Sequence, residues 1–164
     1  MRNRTPFVKK LTALAAALMF LFAAGAGRAE AAAADGLTQE QADAVIEDVF
    51  NGLAEFDVPR VVSHFAPDAV VEDPVGTPPI QGKEAIAAYL RTFPALFSQV
   101  KLYSLDVRAR GQEAAVKWRL RFKTKSGNVF FLEGVGVFKF DEEGRIQSER
   151  EFFDLSYFLS QLQG

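Results

Sequence analysis

The chain predicts an α+β domain, with amphipathic helices in its first part and antiparallel strands from residue 99 onward. Two stretches carry that prediction. Ala42, Val45, Ile46, Val49, Phe50 and Leu53 recur at helical spacing, giving one apolar face. Val116, Trp118, Leu120 and Phe122 instead alternate with Lys117, Arg119, Arg121 and Lys123, the period of a half-buried strand. No internal repeat or second linker interrupts this order. A single curved sheet can then wrap around the helices and leave a cone-shaped apolar space between them.

The elements follow in order. "LTQEQADAVIEDVFNGLAE" opens with Thr38 and Gln41 spaced as a capping box. Asp57 caps a second short helix, "VPRVVSHF", whose proline falls in the first turn, where a missing N–H costs little. "DAVVED" reads as a short strand ended by Pro74, and "PVGTPPIQG" as a loop. "KEAIAAYLRTF" gathers Ala85, Ile86, Tyr89, Leu90 and Phe93 on one side and is stopped by Pro94. "QVKLYSLDVRARG", "EAAVKWRLRFKTKSGN", "VFFLEGVGVFKF" and "RIQSEREFFD" are strands, with turns at "SGN" and "DEEG". "LSYFLSQL" is a closing helical turn.

The N-terminus has a different character. "MRNRTPFVKK" is basic, "LTALAAALMFLFAAGAG" is uncharged and apolar, and the small-residue site "AEA" follows. That order predicts a secretory signal peptide over residues 1–31. A flexible mature N-terminus over 32–37 and one domain over 38–164 complete the organisation. The apolar run is shorter than the roughly 20 residues of a spanning helix. No stable membrane anchor is therefore expected after cleavage, and the expected destination is secreted or periplasmic.

Without residues 1–31, fourteen Lys and Arg face twenty Asp and Glu, a net charge of −6. So acidic a domain is poorly suited to nucleic acid or anionic lipid. The chain has no cysteine and one histidine, His64. Neither disulfides nor a metal site are expected, and His64 reads as a surface residue. No nucleophile triad, phosphate loop or dinucleotide fingerprint is present, so no cofactor is expected.

"HFAPDAVVEDPVG…IQGKEAIAAYL" and the late strand "GVFKFDEEGRIQSEREFFD" resemble the SnoaL-like and steroid Δ-isomerase group of the nuclear transport factor 2-like superfamily. The resemblance covers residues 38–162. It implies a cone-shaped fold, a curved antiparallel sheet around N-terminal helices, and a homodimer through the outer sheet face. In the steroid isomerases the aspartate of "EDPVG" is the general base, which places that role on Asp73. The residue before a proline is held extended, and a carboxylate facing an apolar cavity is a stronger base. Glu72 is expected to point to the opposite face.

The same resemblance places the two donors for a developing enolate oxygen at Val49 and Gly136, and neither side chain can donate. Losing one such donor costs about 10²–10³ in rate, so standard steroid isomerase activity is not expected. "WRLRF" and "REFFD" resemble the epoxide-hydrolase branch, matching Arg119 and Glu151, but Arg121 stands where its second acid belongs. The expected function is binding of a small, largely apolar molecule. The alternative is an isomerase or cyclase-type enzyme with Asp73 as base. Candidate ligand contacts are Val49, Phe50, Tyr89, Trp118 and Gly136, with Phe138 and Phe153; the apolar side chains among them serve equally well as core. Glu149 and Glu151 share a strand face with Phe153, either lining the cavity or forming an exposed edge paired with lysines. The row Lys117, Arg119, Arg121 and Lys123 belongs on the outer face unless the register slips by one residue.

Overall fold

The computed structural model describes residues 36–163; the expected signal peptide over 1–31 lies outside them. Helix α1 (Gln39–Glu55) begins at the capping box. Thr38 Oγ1 accepts from the Gln41 N–H at 3.2 Å, and Gln41 Oε1 accepts from the Thr38 N–H at 2.9 Å. Phe56 ends the helix in a left-handed conformation, φ 57°, donating its N–H to the carbonyls of Gly52 and Leu53. Asp57 caps α2 (Val58–Ser63) by accepting from the Arg60 N–H. Both caps satisfy N–H groups that a helix leaves unpaired.

Strand β1 (Phe65–Glu72) follows directly and is joined by the short β2 (Ile80–Gln81). Helix α3 (Lys83–Leu90) leads into α4 (Phe93–Leu96), then β3 (Phe97–Arg110) and β4 (Glu113–Thr124). Strands β5 (Val129–Phe140) and β6 (Ile146–Phe152) precede the last helix, α5 (Leu155–Leu162). The six strands form one sheet in the order β2-β1-β6-β5-β4-β3. Every pairing is antiparallel except β1 with β6, which is parallel. The first long strand therefore lies beside the last.

Several boundaries differ from the expectation, two of them at helix ends. "HF" was expected to end α2, yet β1 already starts at Phe65, because Phe65 pairs with Ile146 and the Ile146 N–H donates to the His64 carbonyl at 2.7 Å. The third helix was expected to run to Phe93 but stops at Leu90. Pro94 sits instead in the first turn of α4, the one part of a helix that tolerates it.

The core fills the concave side of the sheet. Phe65, Phe97, Phe138 and Phe140 are almost fully buried together with Ile46 and Ile146. Truncating such a phenylalanine costs about 3–5 kcal/mol, so these rings anchor the helices to the sheet. The alternation on β4 holds as expected. Trp118 and Phe122 are buried while Lys117, Arg119 and Lys123 are exposed on the outer face. Arg119 bonds Glu133 at 2.7 Å, and Arg121, half-buried, bonds Gln99 at 2.5 Å. His64 is half-buried rather than a free surface residue. Its Nε2 lies 2.6 Å from Asp48, which also accepts from Arg60, so one carboxylate ties α1 to α2. Those two bonds hold the Asp48 carboxyl down at about 2. Among the described residues no helix is long and apolar enough to cross a membrane.

Thr38→Ala removes half of the capping box and is expected to lower stability by about 1 kcal/mol. Urea unfolding measures it, with Thr38→Ser expected to retain most of the stability that Thr38→Ala loses.

Candidate functional site

Asp73 follows the last residue of β1 and precedes Pro74, to which it is joined by a cis peptide bond. Strand alternation sends its neighbour the other way: the Glu72 carboxylate lies 3.3 Å from Arg150 Nε. Asp73 turns toward the helices, where the Tyr89 hydroxyl on α3 donates to it at 2.8 Å. The same alternation on β6 brings Glu149 and Glu151 to the concave face and leaves Arg150 outside. The parallel pairing sets Val71 beside Glu149, and the Val75 N–H donates to the Glu151 carbonyl at 2.8 Å. Two ends of the fold thus deliver three carboxyl groups to one place.

Two glycines on β5 make room for this. Gly134 lies opposite Trp118 on β4, and Gly136 lies opposite Glu151 on β6. A Cβ at 134 would collide with the indole ring, and a Cβ at 136 would sit 2.5 Å from Glu151 Oε1. In the space thereby left open the Trp118 Nε1–H donates to Glu151 Oε2 at 2.5 Å. Glu151 is only 7% exposed.

These groups line a cavity of about 350 Å³. Its polar end holds Asp73, Tyr89, Glu149 and Glu151. Elsewhere the walls are apolar: Val49 and Phe50 from α1, Ile86 and Leu90 from α3, Trp118, Leu120 and Phe122 from β4, and Phe153. Of the expected site residues, Gly136 and Phe138 fall outside the lining. Glu151 occupies the space above Gly136, and Phe138 is fully buried in the core. Of the two placements open to Glu149 and Glu151, the structure has the cavity lining and not the exposed edge. Arg119 and Arg121 do not line the cavity. Contacts not foreseen come from α4 and α5: Phe93, Leu96, Leu155, Phe158, Leu159 and Leu162. The α5 set recurs at i, i+3, i+4 and i+7 in "LSYFLSQL", a periodicity that marks an inward face.

Removal from water dominates the electrostatics. Burial raises the Asp73 carboxyl, with the Tyr89 hydrogen bond pulling back. Burial and then repulsion from Glu151 and Asp73 hold Glu149 well above the ordinary carboxyl range. Burial, then the Asp73 charge, push Glu151 up to about 7, against the pull of the Trp118 N–H. Tyr89 is raised by burial and by the neighbouring Asp73 charge. The cluster can therefore hold and give up protons near neutrality. Among the described residues no group of His, Cys, Asp or Glu has the arrangement of a metal site.

The family model for the SnoaL-like domain matches residues 46–149. The chain belongs to the SnoaL-like domain family. A curated relative, a steroid Δ-isomerase from Nocardioides simplex, is 33% identical over 94 residues, covering 57% of this chain and 73% of the relative. Two solved structures share the fold. An epoxide hydrolase/cyclase-like enzyme, SalBIII, of pyran ring formation in the polyether salinomycin superposes with a TM-score of 0.64 at 24% identity, over 72% of this chain and 93% of that one. An NTF2-like protein of unknown function from Burkholderia pseudomallei gives 0.69 at 19% identity, over 76% and 98%. The SnoaL-like match runs from within α1 into β6, taking in Asp73 and Glu149 and ending two residues before Glu151.

Because folding raises these carboxyls, the native state binds protons that the unfolded chain releases. That stability is fully present at low pH and is lost as pH rises. For Glu151, rising from 4.5 to about 7, the loss is on the order of 3 kcal/mol. Denaturant unfolding between pH 4.5 and 7 is expected to show falling stability, with a flatter slope in Glu151→Gln.

Proposed function

We propose that this SnoaL-like protein binds a small, largely apolar molecule in the cavity, with its polar group against Asp73, Glu149 and Glu151. The observation that carries the reading is the segregation of the cavity, apolar over most of its wall and ionisable at one end only. Apolar walls supply affinity at roughly 25 cal/mol per Å² removed from water, and a few polar groups fix orientation. Standard steroid isomerisation is not the reaction, because Val49 and Gly136 carry no donor.

A second reading, proton transfer beside a carbonyl, is favoured by one specific arrangement, the Asp73 carboxyl on the cavity wall with its orientation fixed by the Tyr89 hydroxyl. In it Asp73 is the base. A protonated Glu149 or Glu151 then serves as the oxygen donor that positions 49 and 136 do not supply, since a carboxylic acid kept neutral by its surroundings can donate. Export through residues 1–31 and pairing of two copies through the outer sheet face belong to the same proposal. Exposed Phe131, Val135 and Phe152 support the pairing.

Trp118 is the only tryptophan and lines the cavity. Titration with 1-decanol, or with a bicyclic enone for the second reading, is expected to change its fluorescence saturably. An unchanged spectrum alongside a calorimetric blank would sink the binding reading. If the second reading holds, Asp73→Asn lowers turnover of the enone about 10²–10⁴-fold while leaving its binding intact.

A further inference from the structure

We infer that the polar group of the ligand is a protonated amine. The inference rests on the reading that an apolar molecule enters the cavity, and it adds the chemistry of that molecule's head. Asp73, Glu149 and Glu151 meet at one end of the cavity, and its lining contains no Lys, Arg or His. Protein donors reach two of the three carboxyls, Tyr89 to Asp73 and Trp118 to Glu151. Glu149 lines the cavity beside Glu151. Once ionised, the three carboxylates offer about four lone-pair sites each against those two protein donors.

An ammonium group corrects both imbalances. It brings three N–H donors, no acceptor and one positive charge. A carbonyl or ether oxygen brings no charge and leaves the carboxyls to keep their protons. A carboxylate adds acceptors and a fourth negative charge in apolar surroundings, where charge repulsion is least screened. The aromatic setting agrees. Trp118 and Phe153 stand edge to face at 6.0 Å beside Glu151, and Tyr89 stands beside Asp73; such rings attract cations that have left water. Without an ammonium, protons on the carboxyls do the neutralising. With one, those protons leave to solvent and the carboxylates pair with the ligand.

Three probes with one apolar body separate the head groups: 4-butylbenzylamine, 4-butylbenzyl alcohol and 4-butylbenzoate, titrated calorimetrically into the purified protein at pH 7. The amine is expected to bind at least about tenfold tighter than the alcohol, a difference of about 1.4 kcal/mol, with the benzoate weakest. Repeating the amine titration in two buffers of different ionisation enthalpy is expected to reveal net proton release. Glu149→Gln is expected to reduce the preference for amine over alcohol, and the wild-type comparison decides the matter should that variant fold poorly. Alcohol or benzoate binding as tightly as the amine overturns the amine head while leaving the binding reading intact. No binding by any probe removes the binding reading, and the amine with it.

Discussion

Everything at the polar end of the cavity depends on two side chains that are absent. Gly134 and Gly136 leave the space in which the Trp118 indole and the Glu151 carboxyl lie against β5 and bond one another. A methyl group at either position would enter a contact too close for ordinary packing. Once Glu151 is held there, Glu149 faces the cavity two residues earlier on the same strand; beyond burial, the Glu151 charge drives Glu149 toward protonation, and the Asp73 charge does the same to Glu151. Burying carboxyls without a countercharge is costly. The structure meets that cost partly with the indole and phenol donors and partly by retaining protons.

The scaffold holds this arrangement in register. Helices α1 and α3 supply the apolar wall opposite the sheet, and a chain of aromatic contacts runs from Tyr89 through Phe93 and Phe97 to Phe122. Phe158 on α5 joins that cluster, contacting Phe97, Phe122, Phe130 and Phe153. The last helix is thus packed into the same aromatic core that bounds the cavity. Its position follows from the apolar face formed by Leu155, Phe158, Leu159 and Leu162, with the Asp154 side chain capping its start.

Much of this could be read from residue order. The helical and strand periods gave the α+β class, the capping box at Thr38 and the outer placement of Lys117, Arg119 and Lys123, because each is a local property of side-chain spacing. "EDP" pointed to Asp73 through a resemblance, and strand alternation separated Glu72 from it. What could not be read depends on contacts between distant strands. Whether Glu149 and Glu151 face the cavity or an exposed edge is decided by which strands cover β6. Their neighbours prove to be β1 and β5, so β6 is interior. The value of Gly136 was legible only as a missing donor. That it makes room for an acid from the adjoining strand requires the pairing of Gly136 with Glu151. The Asp48–His64 contact was hidden for the same reason, since it joins two helices through side chains sixteen residues apart.

The parallel pairing of β1 with β6 carries a consequence for the order of assembly. Asp73 directly follows the first long strand while Glu149 and Glu151 lie on the last, and nearly the whole antiparallel meander intervenes. Pairings so distant along the chain close large loops and form late. A growing or partly folded chain can build the β3–β4–β5 meander from local hairpins and still possess no acid cluster. The costly meeting of three carboxyls is thereby postponed until the rest of the hydrophobic interior is in place to sustain it.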